Sequence, residues 1–374
     1  MSRLAATPGS GVSEALTIRS VDAVLVVVPI RRPLVTSAMS VAEVPLVLID
    51  LQTEEGVTGR AYLFCYLEAA GHAAIALTRD VSVVLAGTVA SPAAVRRALE
   101  ARFKLLGTRG LVSAVLAGVD VACWDALAIA AGLPLARMLG ATMLPTAAYN
   151  SNGLGLVEPQ AAADEAQELV AEGFRAIKMR IGRPSGHDDL AAVRAVRAAI
   201  PADVVLMSDY NQALNPNAAR ERCRQLDNEG LCWIEEPVRH DDYATSAELS
   251  VLLRTPVQIG ENFSGPRAMS VALAHKASDL VMTDLERIGG VSGWLDAAAL
   301  ADAAETEMSS HLYPEASAHL LAATPTAHWI EYVDWAEPIL QQPLRVVDGC
   351  VTPPSRPGTG MVWDADAVQH FRRG

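Results

Sequence analysis

The sequence of 374 residues has few cysteines and no cysteine pair of the kind that builds a metal or redox site. The five cysteines are odd in number and none belongs to a CxxC pair. They are Cys65, Cys123, Cys223, Cys232 and Cys350. Because four of them lie in apolar surroundings, we expect buried free thiols in a reducing cytoplasm, which excludes a disulfide framework.

The chain also lacks targeting and membrane signals. Its N-terminus, MSRLAATPGSG, contains no hydrophobic core for a signal peptide. No apolar run reaches the roughly 18 residues that a membrane helix needs. We therefore expect a cytoplasmic protein with no membrane partner, in which residues 1–15 are loosely structured.

Positive charge is scarce as well. The chain has 30 Lys and Arg against 43 Asp and Glu, which gives a net charge of -13, and nothing resembles a basic stripe. This excludes nucleic acid as a partner. It does not exclude an anionic substrate, because a metal ion and a few local cations set the potential inside a pocket.

Apolar runs alternate with helical stretches from about residue 146 onward. Eight runs have the length and composition of buried strands, at residues 147–151, 176–181, 204–211, 232–237, 257–261, 279–284, 307–311 and 328–332. The alternation predicts an α/β fold, a (β/α)₈ barrel or modified TIM barrel, over residues 145–336. An open doubly wound sheet is the alternative, but no glycine-rich phosphate turn follows the first of these strands.

The part of the chain before the barrel has a different pattern. Strand-like runs cover 17–30, 44–51 and 58–64, and helical composition follows them. We predict an N-terminal α+β capping domain at 16–144 and interpret its stretch 31–43 as a flap loop over a site. Prolines and turn glycines predict an irregular C-terminal segment, residues 337–374, that packs back on the capping domain.

Three carboxylates end apolar runs at an even spacing. Asp209, Glu235 and Glu261 are 26 residues apart, which is the length of one strand-helix unit. In a parallel barrel they lie at the same rim, where they repel one another unless a cation holds them. An acid after a strand is also a common helix N-cap, but the repeated context argues against that. An all-oxygen ligand set favours Mg²⁺, with Mn²⁺ as an alternative.

Other charged residues fall at the same predicted rim. Lys178 and Arg180 share the inward face of one strand, either as structural ion pairs with the carboxylates or as groups that hold a substrate carboxylate or take a proton. His311 and Asp284 end neighbouring strands, and a carboxylate that fixes the tautomer of an imidazole produces a general base. Glu331 ends the last strand and, if kept neutral, could donate a hydrogen bond to a developing enolate oxygen.

Eight sequence words carry a resemblance to a known family. They are PLVLID (45–50), YLFCY (62–66), GFRAIK (173–178), MSDYNQ (207–212), WIEEP (233–237), RIGGVSGW (287–294), MSSHL (308–312) and HLLAATPTAHWIE (319–331). Through these segments the chain resembles the mandelate racemase subgroup of the enolase superfamily over essentially its whole length. The segment at 319–331 is similar to mandelate racemases in particular.

The resemblance implies a role for each residue at the rim. It places Mg²⁺ on the three evenly spaced acids and a substrate carboxylate between the ion and Lys178. It places Asn211 near the α-hydroxyl, the Asp284 and His311 dyad as one base, and Glu331 as the acid on the enolic oxygen. It also implies a homo-oligomer.

The flap and the pocket beneath it concern specificity. In the family the flap shapes the pocket for the distal part of the substrate. Here it has apolar residues such as Leu34, and Tyr66 is expected to line the same pocket. We therefore expect a pocket that accepts an aryl group.

Arg180 departs from the family pattern, which commonly has the second lysine of a Lys-x-Lys pair at this position. Arginine keeps its proton above roughly pH 12 and is a poor general base. Racemisation needs a competent group on each face of the substrate, whereas dehydration needs only one.

The resemblance implies Mg²⁺-dependent removal of the α-proton of a 2-hydroxycarboxylate through an enediolate. The nearest match is racemisation of an aromatic or apolar 2-hydroxy acid. Two alternatives stay open. One is an acid-sugar dehydratase with His311 as its single base, and the other is a non-catalytic or lactonising relative.

Overall fold

The computed structural model describes residues 15–373, so that all but the last residue of the predicted loose segment 1–15 lies outside the described part. The described chain opens with an antiparallel three-stranded sheet in sequential order. Its strands are β1 (Ile18–Val35), β2 (Ser40–Thr53) and β3 (Thr58–Phe64). The runs of Val, Leu and Ile in β1 and β2 favour this pleated, buried surface.

The prediction of a flap loop at 31–43 is wrong, because most of these residues belong to strands β1 and β2. β1 and β2 form a hairpin that extends to Val35 and Ser40, with a bulge between Pro29 and Leu34. Only residues 36–39 form the turn, which the Thr36 N–H closes by donating to the Met39 carbonyl at 2.9 Å. A register-shifting bulge bends a hairpin away from its sheet, and Arg31, Arg32 and Pro33 interrupt the apolar pattern of β1 in the sequence.

Four helices complete this part of the chain. They are α1 (Glu68–Leu85), α2 (Pro92–Phe103), α3 (Leu111–Ala130) and α4 (Leu135–Met138). α3 lies against the sheet so closely that a Cβ atom on Gly59 would stand 1.9 Å from the Ala122 carbonyl oxygen. A glycine in β3 therefore permits the contact between helix and sheet.

Helix α3 also corrects the expectation about membrane signals. By length and composition it could cross a membrane, with a mean hydropathy of 1.7 over its most apolar window. In the structure 67% of that window is buried within the fold. Asp120 and Asp125 on α3 are buried too and accept hydrogen bonds from other segments. These features are typical of the central helix of a folded domain.

The predicted barrel strands are all present among the described residues, with bounds that are shorter or shifted by one residue. They are β4 (Thr146–Asn150), β5 (Ala176–Arg180), β6 (Val205–Asp209), β7 (Leu231–Glu235), β8 (Val257–Ile259), β9 (Leu280–Asp284), β10 (Met308–His311) and β11 (Ile330–Tyr332). The helices between and after them are α5 (Pro159–Ala171), α6 (Gly186–Ala199), α7 (Pro216–Leu226), α8 (Tyr243–Leu252), α9 (Pro266–Ala274), α10 (Leu285–Ile288), α11 (Gly290–Ala303) and α12 (Pro314–Ala322).

The parallel strands close into a barrel. Strands β4 to β10 pair in sequential order, and β11 pairs with β4. The remaining gap, between β10 and β11, is bridged by backbone bonds, among them those from the Ser310 N–H to the Trp329 carbonyl at 2.9 Å and from the His328 N–H to the Met308 carbonyl at 3.0 Å. The fold is therefore a modified (β/α)₈ barrel with an N-terminal α+β domain, as predicted.

Large side chains fill the barrel below its carboxyl-end rim. Tyr149, Met207, Trp233 and Leu280 form a buried cluster there. The ring planes of Tyr149 and Trp233 meet edge to face with centroids 5.4 Å apart. This layer forms a solid floor, so polar side chains at the strand ends above it are held in a shallow, water-poor mouth.

The C-terminal segment is less irregular than predicted. It contains β12 (Val346–Val347), β13 (Cys350–Val351) and α13 (Ala365–Phe371). Among its contacts with the N-terminal part, the Arg373 N–H donates to the Leu25 carbonyl at 2.9 Å and the Trp363 indole N–H donates to Asp50 at 2.9 Å. The segment thus returns to the three-stranded sheet.

The cysteines are free thiols, as the sequence predicts. Three are buried and two, Cys232 and Cys350, are half-buried. Burial raises the pKa of the Cys123 thiol to about 12, which makes it inert at neutral pH.

Candidate active site

Strand register brings the predicted metal carboxylates together at the barrel mouth. In the parallel pairs, Arg180 is opposite Asp209 and Asp209 is opposite Glu235. Glu261 lies two residues beyond β8, after Gly260, whose φ of +131° and close approach to the Met282 carbonyl exclude a side chain. One oxygen from each of the three carboxylates lies within 4.8 Å of the others, and all three side chains are buried.

Neighbouring donors hold each carboxylate in place. The Trp233 indole N–H donates to Glu235 Oε2 at 3.0 Å. The Asn211 side-chain amide donates to Asp209 Oδ2 at 2.9 Å, and the Asn262 amide donates to Glu261 Oε1 at 3.1 Å. Outer hydrogen bonds of this kind fix the orientation of metal-binding carboxylates.

The charges at the mouth fit a divalent cation. Six buried carboxylates lie around three permanent cations and one histidine; the acids are Asp209, Glu235, Glu236, Glu261, Asp284 and Glu331, and the cations are Lys178, Arg180 and Arg287. Burial raises the pKa of Glu235 above its ordinary value, with Lys178 only partly opposing this effect. A hard ion on the three metal carboxylates would supply the missing positive charge, and an all-oxygen set suits Mg²⁺.

Lys178 points into the mouth and contacts three acids. Its Nζ lies 2.8 Å from Glu235 Oε1, 2.9 Å from Glu331 Oε1 and 3.4 Å from Asp209 Oδ2, over the ring of Tyr149. Burial disfavours the charged amine, but these carboxylates outweigh it and raise the pKa of Lys178. The lysine is therefore a fixed positive charge and not a base in this arrangement.

His311 and Asp284 form the predicted pair on neighbouring strands. His311 Nδ1 lies 2.7 Å from Asp284 Oδ2, and its Nε2 lies 3.2 Å from Glu261 Oε2 on the side of the metal carboxylates. Burial opposes protonation of the imidazole, but Glu261, Glu331 and Asp284 together raise the pKa of His311 to about 9. Asp284 also caps α10 by accepting the Arg287 N–H at 2.9 Å, which fixes the carboxylate that orients the imidazole.

The expectation of a neutral Glu331 is not met in this arrangement. Burial favours the neutral form, but Lys178, His311 and Arg180 outweigh it and hold the pKa of Glu331 well below its usual range. The carboxylate also accepts the Leu312 N–H at 2.8 Å. The sequence pattern could not show that so many cations surround this one acid.

Arg180 is held in a way the sequence did not predict. Its Nη1 donates to the Ser151 carbonyl at 3.1 Å and its Nη2 to Ser151 Oγ at 2.9 Å. Its Nε is buried without a hydrogen-bond partner in the described part of the chain and lies 4.0 Å from Asp209 Oδ2. The guanidinium is thus held at the mouth by Ser151, and its Nε–H has no partner among the described residues.

Asn211 lies outside the strand that was predicted at 204–211. Strand β6 ends at Asp209, so strand alternation does not orient Asn211. It has a φ of 45° instead, and Glu236 and Leu312, which also follow barrel strands, have φ values of 36° and 52°. Non-glycine residues in this left-handed region cost free energy and gather at functional sites.

The distal-pocket residues Tyr66 and Leu34 are separated by the structure. Tyr66 lines a cavity of about 410 Å³ beside the mouth, together with Phe64, Leu111, Asn262 and Arg287. Leu34 is buried in the hydrophobic core of the hairpin and is not part of that cavity wall, as far as the described residues show. The role given to Leu34 from the sequence therefore has no support in this cavity.

The hairpin nevertheless reaches the barrel rim. Ser37 at its turn donates to the Tyr210 carbonyl at 2.9 Å, next to Asn211. The Leu156 N–H donates to the Val35 carbonyl at 2.8 Å. Arg32 forms ion pairs with α5 and its C-terminal end, at 3.0 Å to both Glu168 and Glu172. These contacts hold the hairpin down over the β5 and β6 side of the mouth.

Three residues with contacts to the site were missed in the sequence. Ser151 follows the first barrel strand, Asn262 follows a metal carboxylate directly, and Arg287 comes three residues after Asp284. Their positions next to strand ends were a usable signal, because residues at the carboxyl ends of barrel strands meet at one rim. Their other partners, such as Glu236 for Asn262 and Tyr66 for Arg287, come from distant segments, and no local pattern reveals those.

Known structures resemble this one over almost the whole chain. An enolase from alpha proteobacterium BAL199 with bound magnesium is 45% identical, with a TM-score of 0.94, over 96% of this chain and 100% of that chain. An enolase from Bradyrhizobium complexed with magnesium and mandelic acid is 41% identical, with a TM-score of 0.92, over 97% of this chain and 100% of that chain.

Curated relatives catalyse several reactions. L-talarate/galactarate dehydratase from Salmonella typhimurium is 32% identical over 70% of this chain and 66% of its own length. Others are acid-sugar dehydratases, a cycloisomerase and an epimerase. The relatives are therefore enzymes, and the two solved ones described above hold magnesium.

Two family descriptions match separate parts of the chain. Residues 18–140 match the "Mandelate racemase / muconate lactonizing enzyme, N-terminal domain", and residues 161–367 match the "Enolase C-terminal domain-like" family. Together with the barrel, the capping sheet and the buried acidic triad, these matches show that the chain belongs to the mandelate racemase and muconate lactonizing enzyme family of the enolase superfamily.

Proposed function

We propose that the protein removes the α-proton of a 2-hydroxycarboxylate, with His311 as the base, and stabilises the enediolate that results. The observation that carries this proposal is the bonding of His311. One ring nitrogen is bonded to Asp284 at 2.7 Å, and the other faces the metal carboxylates. A base must be oriented by one partner and have its other nitrogen directed at the reacting centre, and His311 meets both conditions.

The α-proton of a hydroxy acid is weakly acidic, so the site must stabilise the negative charge that develops on the carboxylate. Mg²⁺, when bound by Asp209, Glu235 and Glu261, supplies positive charge at that carboxylate. Lys178, whose Nζ lies 2.8 Å from Glu235 and 2.9 Å from Glu331, adds a second, buried positive charge at the mouth. Charges fixed in a water-poor site lose no free energy to reorganisation as the reaction proceeds.

Dehydration is the outcome that the geometry supports best. The α C–H bond breaks and its proton passes to His311. The C–O bond of the 3-hydroxyl group then breaks, His311 returns the proton to the leaving oxygen as water, and the enol tautomerises to a 2-keto-3-deoxy acid. This sequence needs one base, and the side chain on the other side, Arg180, is fixed by Ser151 and offers hydrogen-bond donors only. The relation to L-talarate/galactarate dehydratase supports an acid sugar as substrate.

Racemisation is the second candidate, and the cavity wall favours it. Phe64, Tyr66 and Leu111 give the cavity of about 410 Å³ an apolar surface suited to an aryl group. The Bradyrhizobium relative is complexed with mandelic acid. In this case the opposite face of the substrate must receive a proton from a group near Arg180.

A turnover screen tests the proposal. The enzyme with Mg²⁺ is offered each enantiomer of mandelate and a panel of aldonic and aldaric acids, and 2-keto acid formation and optical rotation are followed in parallel. Keto acid that requires both the metal and His311 supports dehydration, and loss of rotation without keto acid supports racemisation. Turnover that is unchanged by His311→Asn would contradict the proposed base.

A further inference from the structure

Arg287 contacts three parts of the site at once. Its Nη1 donates to the Glu261 carbonyl at 3.3 Å and forms a closer hydrogen bond to Asn262 Oδ1. Its Nη2 donates to the Tyr66 hydroxyl at 2.8 Å, and its guanidinium lies 5.6 Å from the centre of the Tyr66 ring. The side chain therefore joins a metal-carboxylate loop of the barrel to the wall of the neighbouring cavity.

The contact with Asn262 determines which way that amide faces. Arg287 has only donors, so it selects the oxygen of the Asn262 amide. The amide nitrogen must then face the other way, where it donates to Glu261 Oε1 at 3.1 Å and to Glu236 Oε2 at 2.8 Å. If the amide were reversed, its oxygen would face two carboxylates and the hydrogen bonds to both would be lost.

Glu261 depends on this amide for its orientation. Oε1 is held by Asn262, while Oε2 lies 3.2 Å from His311 Nε2. Because β8 ends at Ile259, no strand hydrogen bonding holds Glu261 itself among the described residues. Side-chain contacts must therefore fix the third metal carboxylate more than they fix Asp209 and Glu235, which lie within strands.

We propose that Arg287 is a positioning residue that holds Glu261 ready for the metal ion through Asn262, and that Tyr66 of the N-terminal domain fixes Arg287 in turn. The inference rests on the proposed function in so far as the ion is the one that the reaction uses. Residues of the cavity wall therefore contribute to the affinity for Mg²⁺. The binding of a substrate group in the cavity and the binding of the ion at the mouth are then energetically coupled.

The affinity for Mg²⁺ without substrate, measured by titration calorimetry on the full chain, tests the proposal. Arg287→Met should raise the Mg²⁺ dissociation constant by about 10- to 100-fold, the usual effect of losing an outer hydrogen bond to a metal ligand. Arg287→Lys should recover part of this loss, because an ammonium can still donate to Asn262 Oδ1. Tyr66→Phe should weaken binding by about two- to tenfold, as expected for one neutral hydrogen bond.

Arg96→Met is the matched control. Arg96 also joins the two parts of the protein, through Asp296 at 3.3 Å, but none of its described contacts reaches a metal carboxylate. Its loss should leave Mg²⁺ affinity unchanged. Circular dichroism and the thermal midpoint of the metal-free variants show that each is folded.

Either of two results would overturn the proposal. One is a Mg²⁺ affinity of folded Arg287→Met within about twofold of the parent protein, and the other is equal weakening by Arg96→Met. Asn262→Ala should weaken binding as Arg287→Met does, and the double variant should be no weaker than Asn262→Ala alone. The Mg²⁺ titrations contain no substrate, so their result does not depend on turnover. A protein that turns over no 2-hydroxy acid would count against the proposed function only, and the measured Mg²⁺ affinities would still test the role of Arg287.

Discussion

The two sides of the barrel mouth hold side chains that differ in their ability to take up a proton. On one side, His311 is tied through one nitrogen to Asp284 and presents the other. On the other side, Arg180 is tied through both terminal nitrogens to Ser151 and presents donor N–H groups only, the one at Nε among them. Once bound Mg²⁺ lowers the pKa of His311, the first side can take up and return a proton, whereas an arginine can only donate a hydrogen bond. We propose that a site with this asymmetry exchanges protons with one face of its substrate.

The largest effect should come from removing the base. His311→Asn keeps a hydrogen-bonding side chain of similar size but cannot take up the α-proton, so exchange of that proton should fall by about 10²- to 10⁴-fold. Deuterium incorporation followed by proton NMR measures it. His275→Asn, at an exposed histidine, should have no effect. Equal exchange by the His311→Asn variant and the parent would remove the distinction between the two sides.

Arg180 should matter less, and its two replacements should differ. Arg180→Met should slow turnover by about 10- to 100-fold, because hydrogen bonds from a charged donor are lost at Ser151 and at the mouth. Arg180→Lys keeps the charge and introduces an amine that can lose its proton. The lysine variant should gain exchange of the enantiomer that the parent leaves untouched. If Arg180→Met and Arg180→Lys exchange the α-protons of both enantiomers equally, the side chain at position 180 does not determine which enantiomer reacts.

The pKa of His311 should report on the metal carboxylates. In the metal-free protein Glu261, Glu331 and Asp284 raise it to about 9. Bound Mg²⁺ should lower it, because the ion cancels the charge of Glu261, which lies 3.2 Å from the imidazole. Histidine NMR titrations with and without Mg²⁺ measure the shift. An unchanged pKa on saturation with Mg²⁺ would show that the ion does not bind at Glu261.

The same shift predicts a pH dependence of metal-free stability. The pKa of His311 in the folded protein is above the unfolded value of about 6.5, so the protonated imidazole stabilises the fold. This contribution is fully present below about pH 6.5 and is lost as the pH rises through about 9. Urea unfolding of the parent and of His311→Asn across that range should show a pH-dependent difference. If the free energies of unfolding of the two proteins changed with pH in parallel, His311 would make no pH-dependent contribution to stability.

The smallest effect should follow loss of the serine that holds Arg180. Ser151→Ala removes the 2.9 Å bond to Nη2 and leaves the backbone carbonyl bond in place. Loss of one such hydrogen bond to a charged group should reduce turnover by about tenfold. Ser355→Ala, at an exposed position, is the control. A loss as large as that in Arg180→Met would mean that Ser151 itself contacts the substrate.

The metal carboxylates could be predicted because the strand-helix repeat places them. Asp209, Glu235 and Glu261 recur at one strand-helix interval, and parallel register then brings them to one rim. The pairing of His311 with Asp284 followed from the same rule, since β9 and β10 are neighbours. For these residues, strand periodicity and topology were sufficient.

The residues that hold the site could not be predicted in the same way. Arg287 meets Tyr66 across 221 positions of the chain, and Arg180 meets Ser151 between strands. Such contacts depend on side-chain directions in the folded protein, which periodicity does not encode. The prediction of a flap loop failed for a related reason, because the bulge between Pro29 and Leu34 interrupts the strand pattern of the hairpin in the sequence.

The most direct test of His311 as the single base is α-proton exchange in deuterated water with each enantiomer of a 2-hydroxy acid offered separately to the Mg²⁺-loaded enzyme. With a single base, exchange occurs from one enantiomer only and is lost in His311→Asn, and any 3-hydroxylated substrate gives a 2-keto-3-deoxy product. Exchange of both enantiomers at comparable rates by the parent protein would contradict a single base, because a second base would then act beside Arg180.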